Sequence, residues 1–317
     1  MRGVVIALAV VVGSLSLDRA AHAEKCDLGG STVLVQRIAG GSTDPVPTGG
    51  PGGQVDPWKV TVASAEAGPT TWLEEGDWEV GATGDVDGDG ICDVVWTRWA
   101  SGPDGVPAMV ELSLGLTLPT GPPYTLVTPS QPAAHRFDPP GPGWTLVGSG
   151  DFDGDRRADI VLWHAGSRVL AVWISDGRGF EAGHAVMPGA PAPWRPELLA
   201  DLDGNGRPEI LWRDEATGHL DSWKVAWQGD GRLAVEAADP LQPSGPVDVN
   251  WRVRAADDFD GDGYEDLLLQ NRDSERAVIW FMRGPVRQGG TFVNPARLAP
   301  ADQPPASGVL WKIVGPR

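Results

Sequence analysis

Cysteine, histidine and tyrosine are scarce in this sequence: its 317 residues include two cysteines, five histidines and two tyrosines. Two cysteines exclude a fold that is built on several disulfides, and Cys26 and Cys92 could form one disulfide or remain separate thiols. The histidines do not cluster, and neither a His-Glu-x-x-His nor a Gly-x-Ser-x-Gly motif occurs. We therefore predict no catalytic residues and no enzyme activity.

Long apolar runs are absent after the first 25 residues. At the start of the chain, Arg2 precedes an apolar run over residues 4–17, and an Ala-His-Ala triplet at 21–23 has the spacing of a cleavage site. The run is too short to span a bilayer. We therefore predict that residues 1–23 are a cleaved signal peptide and that the mature protein is secreted without a membrane span.

Positive charge is also in short supply. Lysine and arginine number 25 against 43 aspartates and glutamates, which gives a formal net charge of −18 at pH 7. Nucleic acids and anionic membrane surfaces repel such a chain. Much of the negative charge lies in four short clusters, so the sequence predicts cations as ligands and no nucleic acid as a partner.

Glycine, proline and tryptophan are abundant, at 43, 29 and 15 residues. No segment has the apolar period of a helix, whereas short apolar runs alternate with Gly- and Pro-rich turns. This composition is typical of an all-β fold. Residues 24–74 fit it with two predicted strands, at 31–38 and 58–63, which flank a Gly/Pro/Thr-rich stretch at 39–57.

Four segments of the chain repeat one plan, and each begins at a tryptophan. A strand leads into an acidic loop, and an apolar strand, a strand of alternating residues and a weaker fourth strand follow. The steps between the tryptophans are 66, 50 and 57 residues, which is the size of a four-stranded β-propeller blade. The tryptophans are Trp78, Trp144, Trp194 and Trp251, and a fifth Trp-Lys-Ile-Val-Gly segment begins at Trp311.

These units resemble FG-GAP/VCBS-type repeats over residues 75 to 315. The resemblance rests on the acidic loop, such as Asp-Val-Asp-Gly-Asp-Gly-Ile-Cys-Asp at 85–93, and on Val-Gly-Ser-Gly at 147–150. Such repeats form the calcium-loop blades of integrin-α-like β-propellers and of many secreted bacterial proteins. The resemblance implies a β-propeller of four-stranded blades for residues 75–317.

The number of blades depends on the two ends of the chain. If the strand at Trp311 pairs with the strands of residues 24–74, the ends close a fifth blade that lacks an acidic loop. We therefore expect an all-β propeller of five blades, four of them with calcium loops, closed by the N- and C-terminal strands. A four-bladed ring with the N-terminal strands as a separate appendage is the alternative.

The acidic loops follow the spacing D-x-D-G-D/N-x-x-x-D/E, with side-chain oxygens at positions 1, 3, 5 and 9. Calcium takes about six to eight hard oxygen ligands, and in such loops position 7 adds a backbone carbonyl. We therefore predict three to four bound Ca²⁺ ions. The predicted ligands are Asp85, Asp87, Asp89, Ile91 and Asp93 in loop 1; Asp151, Asp153, Asp155, Arg157 and Asp159 in loop 2; Asp201, Asp203, Asn205, Arg207 and Glu209 in loop 3; and Asp258, Asp260, Asp262, Tyr264 and Asp266 in loop 4.

Two loops depart from this pattern. Loop 2 has Arg156 at position 6, where the others have glycine, and loop 3 has Asn205 and Glu209 in place of aspartates. Both departures predict weaker binding, through backbone geometry in loop 2 and through reduced negative charge in loop 3. An EF-hand is excluded, because position 12 is Trp or Leu instead of Glu and both flanks are predicted strands.

Tryptophans on the second and third strands allow two interpretations. Their rings fill the core between blades, which we favour, or they stack on sugar rings in pockets between blades. We expect an extracellular recognition or adhesion module that binds a glycan or a protein. The alternative is an extracellular polysaccharide-active enzyme with a site built from loops. The tryptophans are Trp163, Trp173, Trp212, Trp223, Trp227 and Trp280.

Overall fold

Every regular element of the described chain is a β-strand, so the predicted all-β class is confirmed. No helix in this part of the chain is long and apolar enough to cross a membrane. The predicted signal peptide at 1–23 lies outside the described residues. The computed structural model describes residues 32–39, 54–60, 65–67, 71–72, 78–101, 107–117, 128–129, 134–228, 232–243, 248–297 and 309–315.

The strands follow the predicted repeats. The N-terminal strands are β1 (Thr32–Ala39), β2 (Gln54–Val60), β3 (Ala65–Ala67) and β4 (Thr71–Trp72). Blade 1 contains β5 (Trp78–Gly84), β6 (Asp93–Ser101), β7 (Pro107–Gly115) and β8 (His135–Phe137). Blade 2 contains β9 (Trp144–Gly150), β10 (Asp159–His164), β11 (Val169–Ser175) and β12 (Phe180–Pro188).

The second half of the chain repeats the same arrangement. Blade 3 contains β13 (Trp194–Ala200), β14 (Glu209–Asp214), β15 (Leu220–Trp227) and β16 (Leu233–Pro240). Blade 4 contains β17 (Trp251–Asp257), β18 (Asp266–Asn271), β19 (Arg276–Arg283) and β20 (Val286–Arg297). The last strand is β21 (Val309–Gly315).

Each blade is a four-stranded antiparallel sheet in which every strand pairs with the next along the chain. The first strands of successive blades are neighbours, with β5 beside β9, β9 beside β13, and β13 beside β17. This sequential stacking of meander sheets is a β-propeller, as the sequence predicted.

The core lies between the faces of adjoining blades. Second strands such as β10 are buried at every residue except the last, because a neighbouring blade covers each face. Trp163 of blade 2 packs edge to face on Trp212 of blade 3, with 5.4 Å between ring centroids and 85° between planes. Both rings and that of Trp173 are buried, so the packing interpretation is confirmed for these three tryptophans.

The terminal strands form a fifth sheet that departs from the blade plan. Its order is β21-β1-β2-β3, with β4 also paired to β2, and β1 pairs antiparallel with β21 from Leu34–Gly315 to Ala39–Val309. It has five strands, two of them only three and two residues long, and no acidic loop joins its strands. The structure therefore has four blades instead of the expected five, and closure of the ring by the two chain ends stays a prediction.

Cys92 takes part in a disulfide and is buried beside the last ligand position of loop 1. The sequence contains one other cysteine, Cys26, which lies outside the described residues. The predicted pairing of Cys92 with Cys26 therefore stays a prediction.

We expect that deletion of residues 309–317, which contain β21, will make the protein associate. The deletion leaves the hydrogen-bonding edge of β1 open, and open strand edges pair with other chains. Size-exclusion chromatography with light scattering measures the result. Deletion of residues 316–317 alone keeps β21 and is the control. A monomeric 309–317 deletion with an unchanged melting temperature would contradict the prediction.

Candidate metal centres and interblade pocket

The acidic loops join the first and second strands of the four blades, and one hydrogen-bond pattern shapes all of them. In loop 1, Asp85 Oδ1 accepts the amide of Asp89 at 3.0 Å, and Asp85 Oδ2 accepts that of Gly90 at 2.9 Å. The position 1 aspartates of loops 2, 3 and 4 accept the same two amides. The loop backbone therefore wraps around the carboxylate of position 1, which accepts its amides.

Position 4 requires a left-handed backbone in every loop, and glycine supplies it, with φ of +82° at Gly88 and +69° at Gly204. Position 6 has the same requirement. Arg156 adopts φ of 72° there and still donates its amide to Asp151 Oδ2 at 2.8 Å. Loop 2 thus keeps the shared geometry at the cost of backbone strain, and its weaker binding stays a prediction.

The carboxyl at position 9 is the most buried carboxyl of each loop. Asp93 Oδ2 accepts the amide of Val86 inside the loop at 2.9 Å, and its Oδ1 accepts the amide of Thr117, beyond the third strand, at 2.7 Å. Asp159 and Asp266 make the equivalent pair of bonds. This carboxyl therefore ties the loop to the sheet below it.

Three carboxyls of each loop bring oxygens within 4.8 Å of one another, as a metal ion requires. Asp89, Asp155 and Asp266 lie outside these groups although the sequence predicted them as ligands. The carbonyl ligands predicted at Ile91, Arg157, Arg207 and Tyr264 stay predictions; their amides donate to the side chain at position 5. The groups are Asp85, Asp87 and Asp93; Asp151, Asp153 and Asp159; Asp201, Asp203 and Glu209; and Asp258, Asp260 and Asp262.

Burial and mutual repulsion perturb these carboxyls. Burial raises the pKa of the position 1 groups of loops 1, 2 and 3, and neighbouring aspartates raise it further. The effect is largest at position 9, where backbone hydrogen bonds offset only part of the desolvation. There the pKa is raised to about 7 in Asp93, Asp159 and Asp266, and to about 8 in Glu209. A bound cation would offset both the desolvation of these carboxylates and the repulsion between them.

Hydrogen bonds also join loops of adjoining blades. The amide of Ala158 in loop 2 donates to the Asp85 carbonyl of loop 1 at 2.7 Å. In the same way, Glu265 of loop 4 donates its amide to the Asp201 carbonyl of loop 3, and its side chain accepts the Asp201 amide at 2.7 Å. The loops therefore form part of the contacts between blades.

Lys224 is a contact of loop 3 that the ligand spacing did not predict. Its Nζ forms an ion pair with Asp203 Oδ2, and this hydrogen bond is the main cause of the raised pKa of Lys224. The charge of Glu209 contributes as well. A comparison of the third strands could have shown it, because a lysine interrupts an otherwise apolar position there.

A pocket of about 510 Å³ lies between blades 3 and 4. Its walls are rich in aromatic rings, and Leu269 and Met282 form a buried apolar part of the lining. The Phe292 ring lies 6.3 Å from that of Trp251 and is 50 % exposed. The aromatic residues of the lining are Trp194, Trp251, Trp280 and Phe292.

Polar groups of the pocket lie among these rings. Asp221 is half-buried, and burial raises its pKa. The Arg287 guanidinium stands 4.7 Å from the centroid of the Trp280 ring. Gln242 is fixed by two backbone bonds to blade 4, from its amide to Pro285 and from Arg287 to its carbonyl, both 2.7 Å long. The pocket is therefore preformed and combines stacking surfaces with a few placed polar groups.

Residues 151–212 match the family model of the FG-GAP-like repeat. The chain contains an FG-GAP-like repeat. The matched repeat begins at Asp151, the first position of loop 2, and ends at Trp212 on β14, so it includes loops 2 and 3. The predicted resemblance to FG-GAP repeats is thereby confirmed over these residues. A comparison with curated proteins finds no match to the chain.

In a chelator, we expect the free energy of unfolding to fall as pH rises from about 5 to about 8. The position 9 carboxyls have ordinary pKa values of 3.8 for Asp and 4.5 for Glu, but values of about 7 to 8 in the fold. The folded chain therefore binds more protons in this window, and the stability that protonation contributes is lost as pH rises through the folded pKa. Urea unfolding in EDTA at stepped pH measures the slope.

The Asp159→Asn variant tests the source of that slope. It removes one titrating group and one of the two hydrogen-bond acceptors, so the protein should be less stable but its free energy of unfolding should depend less steeply on pH. Asp273, which is exposed, provides the matched control as Asp273→Asn and should leave the slope unchanged. Equal slopes in all three proteins would show that the loop carboxyls are not the groups responsible.

Proposed function

We propose that the protein is a secreted, calcium-binding β-propeller that acts as an extracellular recognition or adhesion module, with a glycan as its ligand. The pocket between blades 3 and 4 is the observation that carries ligand recognition. Two features support the extracellular setting. The start of the chain has the pattern of a signal peptide, and the Cys92 disulfide needs an oxidising compartment.

Calcium is the metal that the loop chemistry favours. All converging ligand atoms are carboxylate oxygens, which suit hard cations, and no histidine or thiolate accompanies them in the four groups. Loops 1 and 2 each carry four acidic side chains on a loop of nine residues and loop 4 carries five, so a divalent cation would offset a strong local repulsion. Asp87, Asp153 and Asp260, each at position 3, would be central ligands.

The ions would have a structural role. Each loop connects two strands of a blade, and loops 1 and 2, like loops 3 and 4, bond to one another across the blade boundary. A bound ion would therefore hold the strands of one blade and the spacing to the next. This role leaves recognition to surfaces elsewhere on the propeller.

The lining of the pocket suits a sugar. The C–H face of a pyranose ring is apolar and packs on the electron-rich face of an indole or phenyl ring, here Trp251, Trp280 and Phe292. Hydroxyl groups around the sugar need both acceptors and donors, which Asp221 and Arg287 supply within the same pocket. Its volume of about 510 Å³ is within the range of small-ligand sites.

Calcium should stabilise the fold. At a free calcium concentration of ten times the dissociation constant, each site adds RT ln 11, about 1.4 kcal/mol, to the free energy of unfolding. Three sites therefore add about 4 kcal/mol. Asp153→Ala removes a ligand of loop 2 and should lose about one site's share in calcium. Thermal and urea unfolding with calcium and with EDTA measure both effects.

Asp273→Ala is the control for this comparison, because Asp273 is an exposed aspartate outside the loops. It should unfold like the unchanged protein in both conditions. If EDTA leaves the melting temperature of verified metal-free protein unaltered, the calcium proposal is wrong.

A glycan array with calcium present, followed by titration of the best ligand, tests recognition. Phe292→Ala removes an exposed ring and should weaken binding by about three- to tenfold, the range expected for one aromatic contact. Asp221→Asn should weaken it as well by removing a charged acceptor. Val235, exposed on β16 and outside the pocket, supplies the control Val235→Ala.

Three results would count against this part of the proposal. One is the absence of any bound glycan, and another is binding that the pocket variants leave unchanged. A third is cleavage of the bound glycan, seen by mass spectrometry, which would favour the polysaccharide-active enzyme.

A further inference from the structure

Loop 3 differs from the other loops in its charge. Loops 1, 2 and 4 have four acidic side chains at positions 1, 3, 5 and 9, a charge of −4 when all are ionised. Loop 3 has three, because Asn205 occupies position 5, and Lys224 adds one positive charge. Three carboxylates and one ammonium leave −2. Loop 3 therefore offers a divalent cation less opposing charge than loops 1 and 4 do; in loop 2, Arg157 pairs with Asp155 and offsets one of the four charges.

The place of Lys224 in its blade is unusual. In each blade, the residue that follows position 9 of the loop pairs with a residue of the third strand. In blade 3 this pair is Ile210 and Trp223, and Lys224 follows Trp223 in the chain. The same register in the other blades puts an apolar side chain at that point. These residues are Leu116 in blade 1, Ile174 in blade 2 and Phe281 in blade 4.

The ammonium group of Lys224 acts on the converging ligands themselves. It pairs with Asp203, which belongs to the group of three carboxyls in loop 3, and about one third of its side chain is exposed, 34 %. A cation bound by Asp201, Asp203 and Glu209 would have to take Asp203 from the lysine and tolerate a positive charge beside it. Loop 3 thus fits a calcium ion poorly.

Loop 2 also contains an ion pair, but of a different kind. Arg157 pairs with Asp155, which is not one of the three converging carboxyls of that loop. Asp151, Asp153 and Asp159 stay available to a metal. An ion pair near a loop is therefore not enough to replace the metal; the cation must hold a converging carboxylate.

Loop 3 nevertheless has the conformation of the others. The amides of Asn205 and Gly206 donate to the two oxygens of Asp201 at 3.0 and 2.8 Å. Leu202 donates its amide to Glu209 Oε2 at 2.8 Å. The loop that pairs with a lysine is therefore folded like the loops that do not.

We propose that Lys224 supplies in blade 3 the positive charge that calcium supplies in blades 1, 2 and 4. The protein then binds three calcium ions, and loop 3 is held by its own ammonium group. This inference rests on the proposed calcium binding of the other three loops.

The number of calcium ions per chain, measured by equilibrium dialysis and by isothermal titration calorimetry on the full-length protein, tests the proposal. The unchanged protein should bind three. Asp153→Ala should bind two, whereas Asp203→Ala, at the same position of loop 3, should still bind three. The double variant Lys224→Met, Asn205→Asp restores the charge of the other loops and should bind four.

The outcomes separate the two proposals. Four ions in the unchanged protein, or a loss of one ion in Asp203→Ala, would overturn the role of Lys224 and leave calcium binding intact. No bound calcium at all would overturn the proposed calcium function itself. If the double variant does not fold, as circular dichroism would show, the comparison of Asp153→Ala with Asp203→Ala decides the question by itself.

Discussion

Each blade of this propeller depends on one buried acidic side chain at the start of its second strand. In Asp93, Asp159 and Asp266 the two carboxyl oxygens accept amides from the loop on one side and from the third strand or its end on the other. The group is desolvated, and its pKa is raised. The blade therefore needs either a proton or a nearby cation at this point, and a loop of further carboxylates favours the cation.

The rest of the fold follows from this arrangement. The loops lie at the ends of the first strands and hold the acidic side chains there. The second strands are apolar, and the neighbouring blades bury both of their faces. The amide of Ala158 links loop 2 to loop 1 by a hydrogen bond, and the side chain of Glu265 links loop 4 to loop 3 in the same way. The pocket between blades 3 and 4 depends on that same spacing, so its ligand would bind a scaffold fixed by the loops.

Much of this architecture could be predicted from the sequence. The repeat of Trp and D-x-D-G loops placed the blades, the first strands and the acidic groups, because these features recur in the same order in each unit. The ligand sets stay predictions: Asp89, Asp155 and Asp266 lie outside the converging groups, since side-chain rotamers are not set by spacing. The blade count was wrong because it depended on terminal strands without the repeat signature.

Other features lay beyond the pattern because they depend on pairing between distant segments. Lys224 is 15 residues after Glu209 in the chain, and only the register of β14 and β15 brings it to Asp203. The pocket joins strands of two blades, and the tryptophans that line it have the same spacing as those that fill the core. Trp194 and Trp251 begin their blades as Trp78 does, yet Trp78 is buried and the other two face the pocket.

Hydrogen–deuterium exchange of the loop amides, with calcium and with EDTA, tests the central claim most directly. The amides that donate to position 1 and position 9 carboxylates should exchange more slowly in calcium within residues 85–93, 151–159 and 258–266. Residues 201–209, held by Lys224, should exchange alike in both conditions. Exchange that calcium leaves unchanged in all four loops would contradict the account.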